Sequence, residues 1–179
     1  MGPQAAPQQG SAPQRRLAVR PASVEDAEAL ARLSLQLGYP SSREEVERRL
    51  GPLLGQPGHA VLIAEAEREG DRAPGEGTQV VGWIHGFVER TVESDPTVEI
   101  GGLVVDEAWR GRGVGRLLMA YVERWARSVA CNTVTVRSNV TRERSHAFYQ
   151  TLGYAAVKSQ QVFRKTVAEG EMPSSKSSG

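Results

Sequence analysis

The sequence is poor in several features that define large classes of protein. It has one cysteine among 179 residues, Cys131, which excludes an internal disulfide and a cysteine-based zinc cage. No apolar run approaches the roughly 18 residues of a membrane span, and residues 1–14 have no apolar stretch typical of a secretory signal. The net charge of +1 argues against a general nucleic-acid binder, which is normally basic. We therefore expect a cytoplasmic enzyme or binding protein that engages neither nucleic acid nor membrane.

The composition is nevertheless sufficient for a compact core. Hydrophobic residues make up 39% of the chain, and this length is typical of one domain with tails. We expect a domain over residues 16–167, between disordered tails at 1–15 and 168–179. Apolar periodicity predicts elements in the order β-α-α-β-β-β-α-β-α-β-β, hence an α+β fold with a mixed sheet. The last two strands of this series are predicted at 155–157 and 161–167.

Residues 99–116 carry the strongest chemical signal. They read EIGGLVVDEAWRGRGVGR, a strand followed by an arginine–glycine loop and then by a helix. Amides in the first turn of a helix have no partner within it, and the helix dipole adds positive potential there. Glycines let the backbone wrap an anion, and arginines add charge-assisted hydrogen bonds. The pattern favours a phosphate cradle over the alternatives, a solvated loop or an RNA-binding arginine–glycine segment.

The spacing of these residues narrows the kind of phosphate loop. There is no Gly-x4-Gly-Lys-Ser/Thr run, and a Gly-x-Gly-x-x-Gly pattern fails because its third glycine would fall on Arg116 or Leu118. What remains is Arg110-x-x-Gly113-x-Gly115. This loop resembles the coenzyme A pyrophosphate loop of the GNAT superfamily of N-acetyltransferases.

The resemblance extends over essentially the whole domain. The run VRSNVTRERSHAFYQTLGY at 136–154 resembles the second motif of that family, and VRPA at 19–22 with Asp26 resembles its first strand and helix. The resemblance implies a central mixed, mostly antiparallel sheet of six to seven strands flanked by about four helices. It also implies direct acetyl transfer from acetyl-CoA to a primary amine of a small molecule or peptide, no metal, and a homodimer.

The resemblance assigns residues to the coenzyme. Gly101-Gly102 within a strand indicates a bulge or a close ligand approach, and a bulge without a ligand is the alternative. In this family, amides of the same strand, just after the paired glycines, hold pantetheine. The loop and the start of the following helix hold pyrophosphate, and an asparagine after the next strand contacts the coenzyme. Asn139 is first of all a candidate helix N-cap. The matching residues here are Leu103, Val104, Val105, Arg110, Gly111, Arg112, Gly113, Val114, Gly115, Arg116 and Asn139.

Two residues are candidates for proton transfer. An amine must be neutral to attack a thioester, although its pKa lies near about 10.4, so a base is useful. Similar GNAT enzymes use a strand carboxylate at the place of Glu99; the alternative is a carboxylate that positions the amine cation. Alternation puts Glu99 on the same side as Leu103 unless the bulge shifts the register. Tyr149 matches the family's general acid for the thiolate, with a packing tyrosine as the alternative.

The remaining signals concern the acceptor. Residues 89–107 carry a net charge of −5 and residues 108–127 a net charge of +4, which suits a cationic acceptor beside an anionic coenzyme. His59 and His85 are isolated in the sequence and show no metal-ligand spacing. Trp83 and His85 share one strand face that could line an acceptor cleft, and packing in the core or in an interface is the alternative. The alternative function is a non-catalytic acyl-CoA-binding module with the same fold.

Overall fold

The computed structural model describes residues 16–67 and 77–167, which form two compact units that meet in sequence between Thr141 and Arg142. The predicted tails, and most of the loop predicted after the second strand, lie outside these residues. The first unit contains strands β1 (Leu17–Pro21), β2 (His59–Glu67), β3 (Thr78–Glu89), β4 (Thr97–Val105) and β5 (Val134–Val136), and helices α1 (Ala27–Gln36), α2 (Arg43–Leu50) and α3 (Val114–Ser128). The second unit contains helix α4 (Glu143–Thr151).

The sheet follows the sequence order, β1-β2-β3-β4-β5. The first four strands are antiparallel neighbours, and β5 runs parallel to β4. The parallel pair arises because α3 carries the chain back between β4 and β5, as a crossover connection must. The expected mixed, mostly antiparallel sheet is therefore confirmed, with five strands in place of six to seven.

Helices cover both faces of the sheet. On one face, Leu30 of α1 and Leu50 of α2 pack with Val61 and Ile63 of β2. On the other face, Gly86 of β3 lies against α3 so closely that a Cβ there would be 3.0 Å from a methyl of Val122. The apolar stripe of α3 supplies that contact, as the 3.6-residue period predicts. The face toward α1 and α2 is called the acceptor face below.

A buried ion pair fixes the start of α1. Asp26 is 5% exposed and accepts two hydrogen bonds from Arg20 of β1, both at 2.8 Å. The same carboxylate accepts the Ser23 amide at 2.8 Å, which closes the turn before the helix. Arg20 also donates to Glu65 of β2 at 2.9 Å, which ties two strands to the helix start.

The two closing strands predicted at 155–157 and 161–167 are wrong. Residues 155–167 form no strand, and Val157, Val162 and Phe163 are more than 80% exposed. The described part of the second unit contains no other strand, so this backbone has no partner within its own unit, and a strand is not stable without one. Among the described residues, no helix is both long and apolar enough to cross a bilayer.

Candidate active site

The arginine–glycine loop leads into α3 as predicted. Gly111 and Gly113 have φ of +75° and +83°, and Gly113 is the N-cap of α3. Glycine adopts this left-handed backbone without the steric cost that other residues incur. The Leu117 amide bonds to the Gly113 carbonyl at 2.9 Å, so the amides of the three residues before it face outward from the helix end. A Cβ at either glycine would meet no atom within 4 Å, so the space in front of the loop is open.

The arginines of this loop are exposed and lie around the open space. Arg110 donates to the Val105 carbonyl at 3.3 Å and pairs with Glu107 at 3.5 Å. The Arg112 guanidinium lies over the ring of Trp109, 5.3 Å from its centroid, and Arg116 is exposed on the first turn of α3. These charges and the helix end together favour a diphosphate.

Strand β4 has a free edge next to this loop. It pairs with β5 at three positions, Val98 to Ile100, and from Gly101 to Val105 the described first unit offers no strand on that side. Amides and carbonyls along such an edge are available to an extended ligand. Leu103, Val104 and Val105 lie on this edge.

The bulge predicted at the paired glycines is present. His85 of β3 is opposite Gly102 while the next residue of β3 is opposite Ile100, which leaves Gly101 as the extra residue. A Cβ on Gly102 would lie 2.7 Å from the indole of Trp83, so no larger residue fits there. Because of the bulge, Glu99 and Gly102 share the acceptor face and Leu103 lies on the other, so the unshifted alternation is wrong here.

Glu99 is a buried carboxylate on the acceptor face. It is 6% exposed, and its Oε1 accepts a hydrogen bond from Arg137 at 2.8 Å. Arg137 also donates to Glu89 of β3 at 3.0 Å, so one guanidinium bridges two carboxylates. The second oxygen of Glu99, Oε2, is buried and has no hydrogen-bond partner among the described residues. The cluster thus retains one negative charge and one unsatisfied acceptor.

Burial raises the pKa of Glu99 above its ordinary value, and the Arg137 cation opposes that rise. The neighbouring Glu89 carboxylate adds to the rise in the pKa of Glu99. A carboxylate in this setting suits either role foreseen for Glu99, accepting a proton or holding an ammonium. Arg137 could not be identified from the sequence, because its partners are 38 and 48 positions away.

Two histidines that are isolated in the sequence form a pair in the structure. His59 Nδ1 and His85 Nε2 are 3.1 Å apart, and the rings are stacked with centroids 5.4 Å apart. Phe87 stacks on His59 at 5.9 Å. Burial and the neighbouring His59 lower the pKa of His85 below its ordinary value of 6.5. Antiparallel register placed them together, and sequence spacing carries no such information.

The second unit holds Tyr149 on α4. Its ring contacts Phe148 edge-on, with centroids 5.3 Å apart, and lies 6.0 Å from the ring of Tyr154. Burial raises the pKa of the Tyr149 hydroxyl, with Arg142 acting in the opposite direction. The hydroxyl therefore stays protonated at neutral pH, as a general acid requires.

Asn139 does not cap α4. Its Oδ1 accepts the amide and the hydroxyl of Thr141 at 3.0 and 2.9 Å, and the helix begins two residues later, at Glu143, after Arg142. The asparagine closes a local turn in the loop after β5, because a short polar side chain bonds easily to backbone two residues on. Cys131 is buried, as expected for an inert thiol.

The outward-facing amides at the start of α3 suit a phosphate-bearing ligand, and the free edge of β4 precedes them in the chain. A family model described as "Acetyltransferase (GNAT) family" matches residues 25–154. The chain belongs to this family, and it is an acetyl-CoA-dependent N-acetyltransferase. No group of three or more His, Cys, Asp or Glu side chains able to hold a metal occurs among residues 16–67 and 77–167.

Several of the proteins similar to this chain are aminoglycoside N-acetyltransferases. An aminoglycoside N(6')-acetyltransferase type 1 from Stenotrophomonas maltophilia is 31% identical over 146 residues, which are 82% of this chain and 91% of that protein. The structure of aminoglycoside N-acetyltransferase AAC(6')-Iy in complex with CoA has a TM-score of 0.72, at 21% identity, over 86% of this chain and 97% of that one. AAC(6')-Ih from Acinetobacter baumannii has a TM-score of 0.70, at 20% identity, over 86% and 100%.

Proposed function

We propose that the protein acetylates a primary amine of a small, cationic molecule by direct attack of that amine on the thioester carbonyl. The observation that carries the proposal is the buried carboxylate of Glu99, which lies on the same strand whose free edge leads to the amide cradle. A buried anion with one unsatisfied oxygen is stabilised by an incoming ammonium. The amine and the thioester then meet along a single strand.

The aminoglycoside class is the first acceptor to test. The relative from Stenotrophomonas maltophilia is named for the 6' amine of aminoglycosides, and its match spans most of both chains. The net negative charge of residues 89–107 also supports a cationic acceptor, although Arg32 neutralises Asp106 and Arg110 pairs with Glu107. Glu93 and Asp95 are exposed in the turn between β3 and β4, and they add negative potential for a multiply charged acceptor.

An acceptor screen separates the enzyme from a non-catalytic acyl-CoA-binding module. Release of the coenzyme A thiol from acetyl-CoA is measured against aminoglycosides, polyamines, amino sugars, and lysine and N-terminal peptides. We expect turnover with at least one cationic small molecule. Tight binding of acetyl-CoA without turnover on any amine would favour the module.

We further propose that acetyl-CoA is held by the strand edge of Leu103, Val104 and Val105 and by the loop from Arg110 to Arg116. The amides of Gly111, Gly113 and the first turn of α3, through Val114, Gly115 and Arg116, would bind the pyrophosphate, and Arg110 and Arg112 would add charge. Asn139, in the loop after β5, is the remaining coenzyme contact. The open space in front of the two glycines supports this assignment.

Replacing Gly113 by valine is expected to weaken acetyl-CoA binding at least tenfold, equivalent to about 1.4 kcal/mol. The side chain would occupy the cradle, and the left-handed backbone, with φ of +83°, would resist a β-branched residue. Titration calorimetry measures the change in Kd. Gly38 is the matched control, because it has φ of +90° and open surroundings at the end of α1, so Gly38→Val carries similar strain away from the loop. Equal losses in both variants would remove the loop from the assignment.

Glu99 receives the acceptor amine in this proposal, as the base that takes its proton or as the anchor of its cation. Tyr149 supplies the proton that the leaving thiolate takes up. The position of Tyr149 in the second motif and the raised pKa of its hydroxyl support this role.

Replacing Tyr149 by phenylalanine is expected to lower kcat by about 10²-fold, the low end of the range for a single proton transfer. The Kd for acetyl-CoA should stay unchanged, because the ring remains. Steady-state kinetics at saturating acetyl-CoA measures the effect. Tyr154→Phe is the control within the same aromatic cluster, and we expect its kcat to stay within threefold of the wild type. A kcat that survives in Tyr149→Phe would assign the tyrosine to packing.

We also propose a cytoplasmic location and a homodimer for this protein. A cytoplasmic location follows from the use of acetyl-CoA as co-substrate, and cell fractionation tests it. A homodimer is implied by the family resemblance, and sedimentation at micromolar concentration tests it. Small-molecule amines remain the expected partners, with no role for nucleic acid or membrane.

A further inference from the structure

The pair formed by His59 and His85 on the acceptor face has no part in the roles proposed for Glu99 and Tyr149. The imidazole of His85 lies against the bulge of β4, where a Cβ on Gly101 would come within 3.2 Å of its Nδ1. Gly101 itself is exposed, so a ligand can approach the strand at this point. Among the described residues, Nδ1 of His85 has no hydrogen-bond partner, whereas Nε2 faces His59. The half-buried imidazole of His85 therefore contacts His59 through Nε2 and faces the bulge of β4 through Nδ1. In this position Nδ1 can exchange a proton with a ligand bound at the bulge.

We propose that His85 is the residue that takes the proton from the acceptor ammonium, and that His59 passes a proton on to solvent. This inference rests on the proposed function and deepens it, since it assigns the anchoring role to Glu99 and the base role to His85. In the resting pair, the Nε2–H of His85 donates to Nδ1 of His59, which leaves a lone pair on Nδ1 of His85. His59 then carries its own hydrogen on Nε2.

The proton path balances without any further reactant. The N–H bond of the ammonium breaks and its proton bonds to Nδ1 of His85. The proton on Nε2 of His85 moves to Nδ1 of His59, and His59 releases its Nε2 proton to water. The neutral amine attacks the thioester carbonyl, and the carbon–sulfur bond breaks as the thiolate takes a proton from Tyr149. The attacking nitrogen then loses its second proton, which returns to the tyrosinate and leaves the neutral amide. A swap of tautomers through solvent restores the pair.

The surroundings of His85 favour a neutral base at physiological pH. Burial and the nearby His59 both disfavour the imidazolium, so the ring is unprotonated and able to accept a proton. The other charged groups on the acceptor face of the sheet near β4 are Glu89, Glu99 and Arg137, which are engaged with one another. Helices α1 and α2 cover the same face. Arg32 of α1 pairs with Asp106, and in α2 Arg43 pairs with Glu47 and Arg49 with Glu45. The remaining charged residues of the two helices are Glu28, Glu44 and Arg48.

The test compares His85→Gln, His85→Ala and His59→Gln with the wild type, using kcat/KM from pH 5 to 9. In the wild type, kcat/KM should fall on the acid side with an apparent pKa below 6.5. His85→Gln should lose about 10²-fold at neutral pH and lose this limb. His59→Gln should move the limb upward toward 6.5, since the repulsion from His59 is gone. Added imidazole should restore part of the activity of His85→Ala, which a purely structural role does not predict.

Binding and folding controls keep the outcomes distinct. The Kd for acetyl-CoA and the melting temperature should match the wild type in all three variants. A His85→Gln variant with wild-type kcat/KM and an unchanged pH profile would overturn the inference while leaving the proposed function intact. If the wild type turns over no amine, nitrogen-15 NMR of the histidine rings still tests the inferred tautomer of His85. A hydrogen on Nε2 at pH 7.5 supports the inference, and a hydrogen on Nδ1 contradicts it.

Discussion

Replacing Glu99 by glutamine is expected to lower kcat/KM for the acceptor by about 10²-fold or more. Removing one partner of a buried, hydrogen-bonded charge pair costs about 2–5 kcal/mol. Loss of a general base lowers the rate by about 10²–10⁴-fold, which is a loss of similar size. The size of the loss therefore does not depend on which role Glu99 has. The substitution preserves shape, and Arg137 keeps Glu89 as a partner, so the fold should persist.

The division of that loss between KM and kcat identifies the role of Glu99. An anchor of the ammonium gives a rise in KM with little change in kcat, whereas a base gives a fall in kcat. Because we assign the proton to His85, we expect the change to appear mainly in KM. Glu93→Gln removes one negative charge from an exposed position on the same segment and should change kcat/KM less than threefold. Wild-type kinetics in Glu99→Gln would remove the carboxylate from the site.

Replacing Asp26 by alanine is expected to lower the free energy of unfolding by about 3 kcal/mol, near the low end of the range for breaking a buried ion pair. The change removes two hydrogen bonds from Arg20 and leaves the Ser23 amide without its acceptor. The loss stays at the low end because Arg20 is partly exposed and keeps Glu65 as a partner. Urea denaturation followed by circular dichroism measures it.

The acid sensitivity of Asp26 gives a second readout of the same prediction. Burial alone would raise the pKa of Asp26, but the hydrogen bonds from Arg20 and Ser23 hold it below its ordinary value of 3.8. The folded pKa lies below the unfolded one, so this stabilisation is complete above pH 4 and is lost as the pH falls through the folded pKa. Asp26→Ala should show less loss of stability on acidification. Glu28→Ala, an exposed acid on α1, should match the wild type within about 0.5 kcal/mol, as surface substitutions usually do.

Local signals in the sequence predicted the order of elements from β1 to α4. Ser42 caps α2 by accepting the Glu45 amide, and the apolar stripe of α3 follows the 3.6-residue period. The conformation of the arginine–glycine loop could be predicted for the same reason, since the positive φ of Gly113 and the unpaired amides of a helix start depend on neighbours along the chain. The closing strands failed because a strand depends on a partner, and alternating apolar residues do not supply one.

The sequence by itself determined the order of elements from β1 to α4, the backbone of the arginine–glycine loop and the family, because each rests on residues a few positions apart. Tertiary structure alone decided what surrounds the reacting groups. Arg137 meets Glu99 across 38 positions, and His59 meets His85 across 26. The histidine pair is set by the register of β2 against β3, and the bulge at Gly101 decides which side chains of β4 share a face with Glu99. Register is a property of two strands together, so a single stretch of sequence does not contain it.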